Sequence, residues 1–457
     1  MNKKYGFSAL FILLIVSAAG LIPQTAQTVK GEAADAGNIA WMLTATGLVL
    51  LMTPGLSYFY GGMVSARNII STMFQSFIAM GVVSILWVVV GFSLAFGESF
   101  GGIIGNPFTF FMFKGVGLDT HPVLSPTIPF MLFALFQLKF AIITPALITG
   151  SFAERVRFKS YLIFMILFSL FIYSPLAHMT WHPDGFLRKL GVLDFAGGTV
   201  VHMSAGFAAL AGALLLGRRL KHGSNHKHTP ANVPYVILGT GLIWFGWFGF
   251  NAGSALEASG TAVLAFATTN TASAAAALAW IFFDMINGRK ASAMGACIGA
   301  VVGLVAITPS AGFVTVGQSI FIGTVASIIS NLAVTWKSRS AIDDTLDVFP
   351  CHGLGGIVGM VMTGIFASGS GLIYGKTDTF MAHIIGLVLV SVFTFGGSYA
   401  LYRLTNFFSP LRVSEDDEME GLDISQHGES VNMNAEVEIY ENDQADEGSA
   451  GEIQGMS

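Results

Sequence analysis

The chain has 457 residues, of which 53% are hydrophobic and 11% are charged. A soluble domain carries about 25% charged residues, so this composition excludes an ordinary soluble protein and indicates a membrane protein with many spans. The net charge is −5, and 14 of the 27 acidic residues follow Arg412, where the chain has no Lys or Arg.

The N-terminal stretch MNKKYGFSALFILLIVSAAGLIPQTAQ places two lysines before a short apolar run, followed by small and polar residues. This order is typical of a secretory signal peptide, and an uncleaved first span is the alternative. We expect residues 1–30 to be a signal peptide and residues 31–412 to form the transmembrane domain. Residues 413–457 are then an acidic cytoplasmic tail, which its composition predicts to be polar and mobile.

Eleven further apolar segments are candidate membrane spans, since a span needs about 20 mostly apolar residues. Backbone polar groups must be satisfied inside lipid, so these segments are expected to be helices. The segments are 39–60, 69–96, 127–150, 160–179, 197–217, 233–251, 262–285, 293–309, 314–336, 352–369 and 380–405. With the mature N-terminus outside, 14 Lys and Arg residues fall on the cytoplasmic side and 5 outside. This bias predicts an N-out, C-in orientation.

The fifth and tenth spans run in opposite directions, yet they begin with similar chemistry. The fifth begins DFAGGTVVHMSAG and the tenth begins DVFPCHGLGGIVG, so Asp194 precedes His202 and Asp347 precedes His352. Opposed orientation with shared chemistry suggests a five-plus-five inverted repeat followed by a final helix, an arrangement common in transporters. The sequence therefore predicts an all-α polytopic membrane protein of eleven transmembrane helices.

The two histidines of these spans are unusual because an ionisable group in a bilayer is costly. His202 lies eight residues beyond Asp194, which is about 12 Å along a helix at 1.5 Å per residue. One such histidine could join two helices by hydrogen bonds, but two in opposed spans favour a functional role. We expect the rings of His202 and His352 to lie against each other. Neutral imidazoles can hydrogen-bond a small polar molecule without fixing a charge.

Aromatic residues concentrate near the predicted outer membrane boundary. They are Phe136 and Phe140 on one face of the third span, Trp181 at the end of the fourth, and Trp244, Phe245, Trp247, Phe248 and Phe250 in the sixth, with Ser254 close behind. Such residues ordinarily form an interfacial belt. The alternative is an outward-facing aromatic cage that holds an ammonium-type cation by cation–π contacts.

Two charged residues stand within or beside the spans. Asp194 is placed to cap the fifth helix, and its charge could equally attract a cation. Lys139 is the one Lys or Arg deep inside a predicted span, since Arg403 lies at the cytoplasmic end of the last one. Being next to Phe140 in the chain, it points to a different helix face, where snorkelling or pairing with an acid is the simplest expectation.

The remaining histidines and cysteines do not form a recognisable metal motif. His178 and His182 are four residues apart but lack the glutamate of the HExxH metal motif. The histidines of the basic loop, His222, His226 and His228, are most simply solvated. Cys297 and Cys351 give neither metal spacing nor a disulfide framework. With no nucleophile–base pair either, we expect no metal, no cofactor and no enzymatic activity.

Four blocks of the sequence resemble the ammonium transporter family (Amt/MEP/Rh). They are FAERVRF, DFAGGTVVHMSAG, WFGFNAGSA and DDTLDVFPCHGLGGIVG, in the family's order along the chain. The resemblance covers about residues 38–429 and is closer to the bacterial Amt branch, because Trp181 and the outer aromatics are present.

The resemblance implies a homotrimer in which each eleven-helix subunit has its own pore. It implies that Trp181, Phe140 and Ser254, with Phe136 beside them, recruit NH4+ at the outer end. Below them Phe140 and Phe250 would form a gate, and His202 and His352 would line the pore. Asp194 would support the recruitment site and the fold. The implied activity is ammonium uptake across the cytoplasmic membrane, with NH4+ or NH3 as the substrate and no nucleic-acid partner. The protein would lie in the lipid bilayer. The resemblance leaves the route of the proton open.

The tail stretch EGLDISQHGE, residues 420–429, is similar to the family segment that binds PII-type nitrogen-signalling proteins. Here another 28 residues follow Glu429. Two alternatives to uptake remain: an ammonium sensor or receptor, and an Rh-type neutral gas channel, against which Trp181 and the aromatic cage argue.

Overall fold

The computed structural model describes residues 3–21, 33–220 and 229–431, and this part of the chain is mostly helical. The first helices are α1 (Lys3–Gly20), α2 (Ala36–Met63), α3 (Ile69–Leu86), α4 (Phe92–Phe96), α5 (Phe130–Ile148), α6 (Phe158–Phe168), α7 (Ser174–Trp181) and α8 (Phe186–Leu190). The later helices are α9 (Ser204–Leu216), α10 (Val233–Gly253), α11 (Gly260–Ile286), α12 (Ala293–Ile307), α13 (Val316–Lys337), α14 (Leu354–Phe366), α15 (Thr377–Phe408) and α16 (Glu415–Glu420).

Wider π-helical turns continue or precede several of these helices. They are Trp87–Gly91 between α3 and α4, Ser169–Tyr173 between α6 and α7, Gly198–Met203 before α9, Phe349–Gly353 before α14, and Asp423–His427 after α16. Short 3-10 turns lie at Ala66–Asn68, Phe111–Phe113, Thr149–Ser151 and Leu372–Tyr374.

Within the described residues, ten helical segments are long and apolar enough to cross a membrane. They correspond to ten of the eleven predicted spans, and the shorter α12 occupies the remaining one at 293–309. The largest change of boundary is in the fourth span, which runs from Phe158 to Leu190. Helix α1 covers the apolar part of the predicted signal peptide, whose cleavage region at residues 22–32 lies outside the described residues.

Two small hairpins lie between the second and third spans. Strand β1 (Ser99–Phe100) pairs with β2 (Ile104–Gly105), and β3 (Thr120–His121) pairs with β4 (Ser125–Pro129), both antiparallel. These hairpins stand at the end of the bundle that carries Trp181. We call this the outer end, following the predicted orientation.

Helices α2 and α10 pack along most of their length through glycines. A Cβ on Gly239 would lie 2.3 Å from the backbone nitrogen of Phe59, and one on Gly249 would lie 2.7 Å from the carbonyl oxygen of Ala45. No side chain larger than hydrogen fits at either position. Small residues let membrane helices approach this closely and gain dispersion contacts where lipid offers no hydrophobic driving force.

The π-helical turns Gly198–Met203 and Phe349–Gly353 cross each other at the centre of the bundle. A Cβ on Gly206 in α9 would lie 2.3 Å from the Cα of Gly353, and one on Gly356 in α14 would lie 3.0 Å from the carbonyl oxygen of Gly198. Each turn thus contacts the helix that follows the other turn. This reciprocal contact matches the inverted repeat suggested by the sequence.

The opposite, inner end is held by a buried arginine from the FAERVRF block. Arg155 donates to the carbonyl oxygens of Gly217, Ser151 and Asp343 and to the Thr345 hydroxyl, at 2.5–3.1 Å. Burial lowers the pKa of Arg155 to about 10, so the guanidinium stays charged at neutral pH. Its donors join three loops at the inner end.

The first part of the acidic tail is folded onto the bundle. Asp423 accepts N–H groups of Ile70 at 3.1 Å and Ser71 at 2.7 Å, at the start of α3. Glu418 accepts from the Leu220 N–H at 2.7 Å and pairs with Arg412 at 2.7 Å. The prediction of a mobile tail is therefore wrong for residues 413–431, and residues 432–457 lie outside the described part of the chain.

Candidate transport pathway

A cavity of about 570 Å3 opens at the outer end of the bundle. Its wall combines aromatic rings with a few polar groups. The polar and charged members are Gln137, Thr180, Arg188, Asp194 and Ser254, and the aromatic members are Phe96, Phe133, Phe140, Trp181, Phe195 and Phe313. The cavity thus offers both ring faces and hydrogen-bonding groups to an entering solute.

Trp181 stands at the C-terminal end of α7, where the helix stops. His182 is already extended, with ψ 141°, as the residue before Pro183 tends to be. The indole N–H of Trp181 donates to the carbonyl oxygen of Asp194 at 3.1 Å, and its ring meets Phe140 edge-on at 5.7 Å. The indole is therefore fixed in orientation while it lines the cavity.

Ser254 follows the last turn of α10 on another side of the same cavity. Its hydroxyl donates to the carbonyl oxygen of Phe250 at 2.8 Å. A hydroxyl has one donor and two acceptor lone pairs. With the donor used by the helix, the Ser254 oxygen is available as an acceptor for a hydrogen-bond donor in the cavity.

Phe140 and Phe250 close the inner end of this cavity. Their ring centroids are 4.2 Å apart with planes tilted by 32°, and both side chains are buried. Phe140 lines the outer cavity, whereas Phe250 lines a smaller one on the other side of the pair. The two rings therefore separate the two cavities.

Phe136 does not line the outer cavity. The α5 stripe that does so is Phe133, Gln137 and Phe140. Phe136 is fully buried behind Phe140, with ring centroids 4.9 Å apart, and packs against Gly253. Four-residue spacing fixes a shared side of the helix but not which residue meets the cavity. The part of Phe136 in recruitment therefore stays a prediction, with its ring placed behind that of Phe140.

The two histidines meet beneath the phenylalanine pair. Nδ1 of His352 lies 3.4 Å from Nδ1 of His202, a long hydrogen bond, and both rings are buried. They line the smaller cavity, whose volume of about 10 Å3 is roughly what one water-sized molecule needs. Apolar side chains form most of the remaining wall: Met52, Leu56, Phe59, Ile143, Leu147, Ile243 and Val301.

Nε2 of His202 is buried and has no hydrogen-bond partner among the described residues. Buried polar groups are ordinarily satisfied, since leaving one unpaired costs about 1–3 kcal/mol. If the Nδ1 atoms of His202 and His352 share one proton, one ring presents Nε2–H and the other a bare Nε2. The pair can then bind a molecule that both donates and accepts hydrogen bonds.

Asp194 organises the turn that carries His202. Its carboxylate accepts the N–H groups of Gly197, Gly198 and Thr199 at 2.7–2.8 Å, and the Thr199 hydroxyl at 2.5 Å. The donors are Gly197, which is the N-cap residue, and the first two residues of the π-helical turn Gly198–Met203. The carboxylate thus satisfies the N–H groups at the helix start, as predicted, but from three residues before the N-cap position. The Asp194 carbonyl also holds the Trp181 indole.

The counterpart of Asp194 in the second half is Asp344, not Asp347. Asp344 accepts the N–H groups of Val348 at 3.1 Å and Phe349 at 2.7 Å, at the start of the turn that carries His352. Asp347 instead has a left-handed φ of 58° and pairs with Lys337 at 2.6 Å. The sequence pairing of Asp194 with Asp347 is therefore wrong by three residues.

Comparisons with known proteins agree with this architecture. The Ammonium Transporter Family matches residues 40–432. The chain is 46% identical over 405 residues to the ammonium transporter of Aquifex aeolicus, covering 87% of this chain and 93% of the relative. It is 44% identical over 403 residues to that of Bacillus subtilis, covering 86% and 98%.

The chain belongs to the ammonium transporter family. Among solved structures it is similar to Candida albicans Mep2, with a TM-score of 0.80 and 36% identity over 87% of this chain and 90% of that one. A structure described as a sensor Amt protein matches with a TM-score of 0.79 and 30% identity, over 86% and 98%.

Sequence reasoning about this ammonium transporter missed three residues at the pathway. The sequence places Trp247 with the outer aromatics, but its ring stacks on His202 at 5.1 Å and its indole N–H donates to the Thr308 hydroxyl at 2.9 Å. Gln137 lines the outer cavity, at i−3 from Phe140. His383 accepts the Leu193 N–H at 3.0 Å beside Asp194. A histidine inside the eleventh span was the available signal for His383.

Other residues singled out by the sequence lie away from the pathway of this ammonium transporter. His178 stacks on His182, and its ring nitrogens contact the Ala95 carbonyl oxygen and the Ser99 hydroxyl, which tethers α7 to β1. Lys139 is half-buried on α5 and makes no ion pair or hydrogen bond within the described part of the chain. His222, His226 and His228 lie outside the described residues.

Proposed function

We propose that this multi-pass membrane protein takes up ammonium. In this proposal NH4+ is recruited in the outer cavity, and ammonia passes the phenylalanine pair to the histidine pair. The observation that carries it is the order along one axis: a cavity with rings and acceptors, two stacked phenyl rings, then two buried imidazoles with an unpaired nitrogen.

Recruitment depends on replacing part of the ion's water. The face of Trp181 supplies a cation–π contact, estimated at about 2 kcal/mol when desolvated. The Ser254 oxygen supplies a hydrogen-bond acceptor. Potassium can also meet a ring face, but only ammonium has N–H groups to donate to the serine.

Passage beyond Phe140 and Phe250 favours a neutral molecule. The smaller cavity is almost wholly apolar apart from its two histidines, and an ion would lose nearly all its hydration there. Ammonium can transfer its proton to water in the outer cavity and enter as ammonia, which can hydrogen-bond the unpaired Nε2 of His202. Potassium has no proton to give, so it is excluded.

The same proposal includes the membrane location, the oligomeric state and the protein partner. We place the protein in the cytoplasmic membrane as a homotrimer, N-out and C-in, after removal of a signal peptide at residues 1–30. A PII-type protein would dock at residues 420–429. Support comes from the family membership, the inward concentration of Lys and Arg, and the ordered tail at the inner end.

Uptake into proteoliposomes tests the function. The wild type should accumulate radiolabelled methylammonium, with ammonium competing and potassium not. His202→Ala and His352→Ala should each impair uptake or admit potassium, while remaining folded, because the change removes a costly polar group from the membrane.

His121→Ala, a histidine of the outer hairpin, is the matched control and should transport. Ammonium binding without any uptake by the wild type would favour the sensor alternative instead. Wild-type transport and selectivity in both pore variants would exclude the histidines from the mechanism.

A further inference from the structure

Arg188 is a charged residue of the outer cavity to which the mechanism above gives no part. It lies on α8, it is exposed, and it lines the same cavity as Trp181 and Ser254. Its Nη1 donates to the carbonyl oxygen of Trp181 at 2.8 Å. A guanidinium stays protonated in proteins, so a permanent positive charge is held where a cation is proposed to be captured.

No acidic side chain forms an ion pair with Arg188 in the described part of the chain. Asp184 on the same loop pairs with Lys189 at 2.8 Å. The other charged member of the cavity wall, Asp194, has its carboxylate occupied by four donors of its own helix turn. These neutral donors leave the negative charge of Asp194 in place, so the charge of Arg188 acts on the cavity alongside that of Asp194 and is not tied up in an ion pair.

Repulsion by a fixed charge grows with the charge of the entering ion. At about 8 Å in a water-filled cavity, one unit charge lowers the occupancy by a monovalent cation about two- to fivefold. A divalent ion feels twice the energy, so its occupancy falls by the square of that factor, about four- to twenty-fivefold. The ring faces that attract ammonium would otherwise also attract divalent metal ions and diammonium compounds.

We propose that Arg188 is a specificity-determining residue whose charge keeps divalent cations out of the outer cavity while it admits singly charged ones. The proposal rests on the cation recruitment of the proposed function. Arg188 also donates a hydrogen bond to the Trp181 carbonyl, so a purely structural role is the competing explanation. Variants with a positive, neutral or negative side chain at position 188 distinguish the two explanations.

The experiment compares wild type, Arg188→Lys, Arg188→Gln and Arg188→Glu in proteoliposomes. Methylammonium uptake gives KM and the maximal rate, with Mg2+ and 1,4-diaminobutane as competitors at constant ionic strength. We expect KM to fall about two- to fivefold with each unit of positive charge removed, with the maximal rate unchanged. Competition by both divalent cations should appear in Arg188→Glu. The differences should shrink at about 0.5 M salt, where charges are screened within a few ångströms.

Lys189→Gln is the matched control, since it removes the same charge one residue away, outside the cavity wall. It should leave KM and divalent competition near the wild type. A structural role predicts that Gln and Glu variants both raise KM and that salt does not restore it, and this result would overturn the proposal.

Tryptophan fluorescence during titration with ammonium and Mg2+ measures cation binding in the outer cavity independently of transport. A charge-ordered change in Mg2+ affinity supports the role of Arg188 even for a wild type without uptake, whereas equal affinities in all variants overturn it. Absence of uptake alone counts against the proposed function.

Discussion

Asp194 and Asp344 occupy equivalent positions in the two halves of the bundle. Each carboxylate accepts backbone N–H groups at the start of a π-helical turn, and each stands eight residues before a pathway histidine, His202 or His352. Because the halves run in opposite directions, the two capped turns bring the imidazoles together from opposite ends. The aspartates thereby fix the turns that position the rings.

Asp194→Asn should impair uptake and lower stability. An amide oxygen can accept fewer of the four donors, and its NH2 group would face N–H groups, so each lost bond costs about 1–3 kcal/mol. Thermal unfolding in detergent and methylammonium uptake measure the two effects. Asp35→Asn removes an exposed N-cap carboxylate of α2 and is the control, with little expected change. Equal behaviour of the two variants would remove the special role of Asp194.

Much of the pathway could be predicted from sequence because its chemistry is unusual for a membrane. Histidines in apolar spans and tryptophan beside a helix end stand out wherever they occur. The partner of Asp194 was missed because Asp344 and Asp347 both precede His352, and only the eight-residue spacing separates them. That spacing was present in the sequence.

Two other differences between the structure and the sequence predictions have physical causes that local patterns do not reveal. The rotation of α5 about its axis is set by packing with its neighbours, which decides that Gln137 and not Phe136 meets the cavity. The tail is acidic in composition, yet Val413 and Leu422 are buried in the bundle and Asp423 caps α3. A few such contacts outweigh the average polarity of a segment.

Trp181→Leu should weaken the capture of ammonium in competition with potassium. Leucine fills part of the space but has no ring face, so a desolvated cation–π contact of about 2 kcal/mol is lost. Inhibition of methylammonium uptake by potassium measures the effect. Trp336→Leu changes an exposed tryptophan at the inner end and should have no influence. Unchanged uptake and unchanged potassium competition in Trp181→Leu would exclude the indole from recruitment.

Deletion of residues 413–457 should abolish binding of a PII-type protein, whereas deletion of 432–457 should leave it intact. The proposed docking element is 420–429, and the structure holds it at the inner end through Asp423 and Glu418. A pull-down with purified PII protein compares the two truncations. Loss of binding with the short deletion would instead assign docking to the acidic extension.

Acidification should loosen the folded tail through His427. This ring packs edge-on against Phe74 at 5.4 Å and Phe158 at 4.9 Å, with Nε2 3.2 Å from the Ser71 hydroxyl. Burial lowers the pKa of His427, and the smaller opposing influence of Glu429 raises it. The neutral ring therefore stabilises the folded tail at a pH above the free histidine pKa of about 6.5. This stabilisation is lost as the pH falls through the lower pKa that His427 has in the folded tail.

The tail carboxylate Asp423 titrates with the opposite sign and in a lower range. Burial raises its pKa, so its protonation favours the folded tail as the pH falls toward the carboxyl range near 4. Between about pH 7.5 and 5.5, His427 should therefore dominate. Hydrogen exchange of residues 414–431 should become faster on acidification in the wild type. In His427→Gln, which keeps a donor for Ser71 but does not titrate, exchange corrected for intrinsic rates should stay constant. An equal acceleration in both proteins would assign the pH dependence to another group.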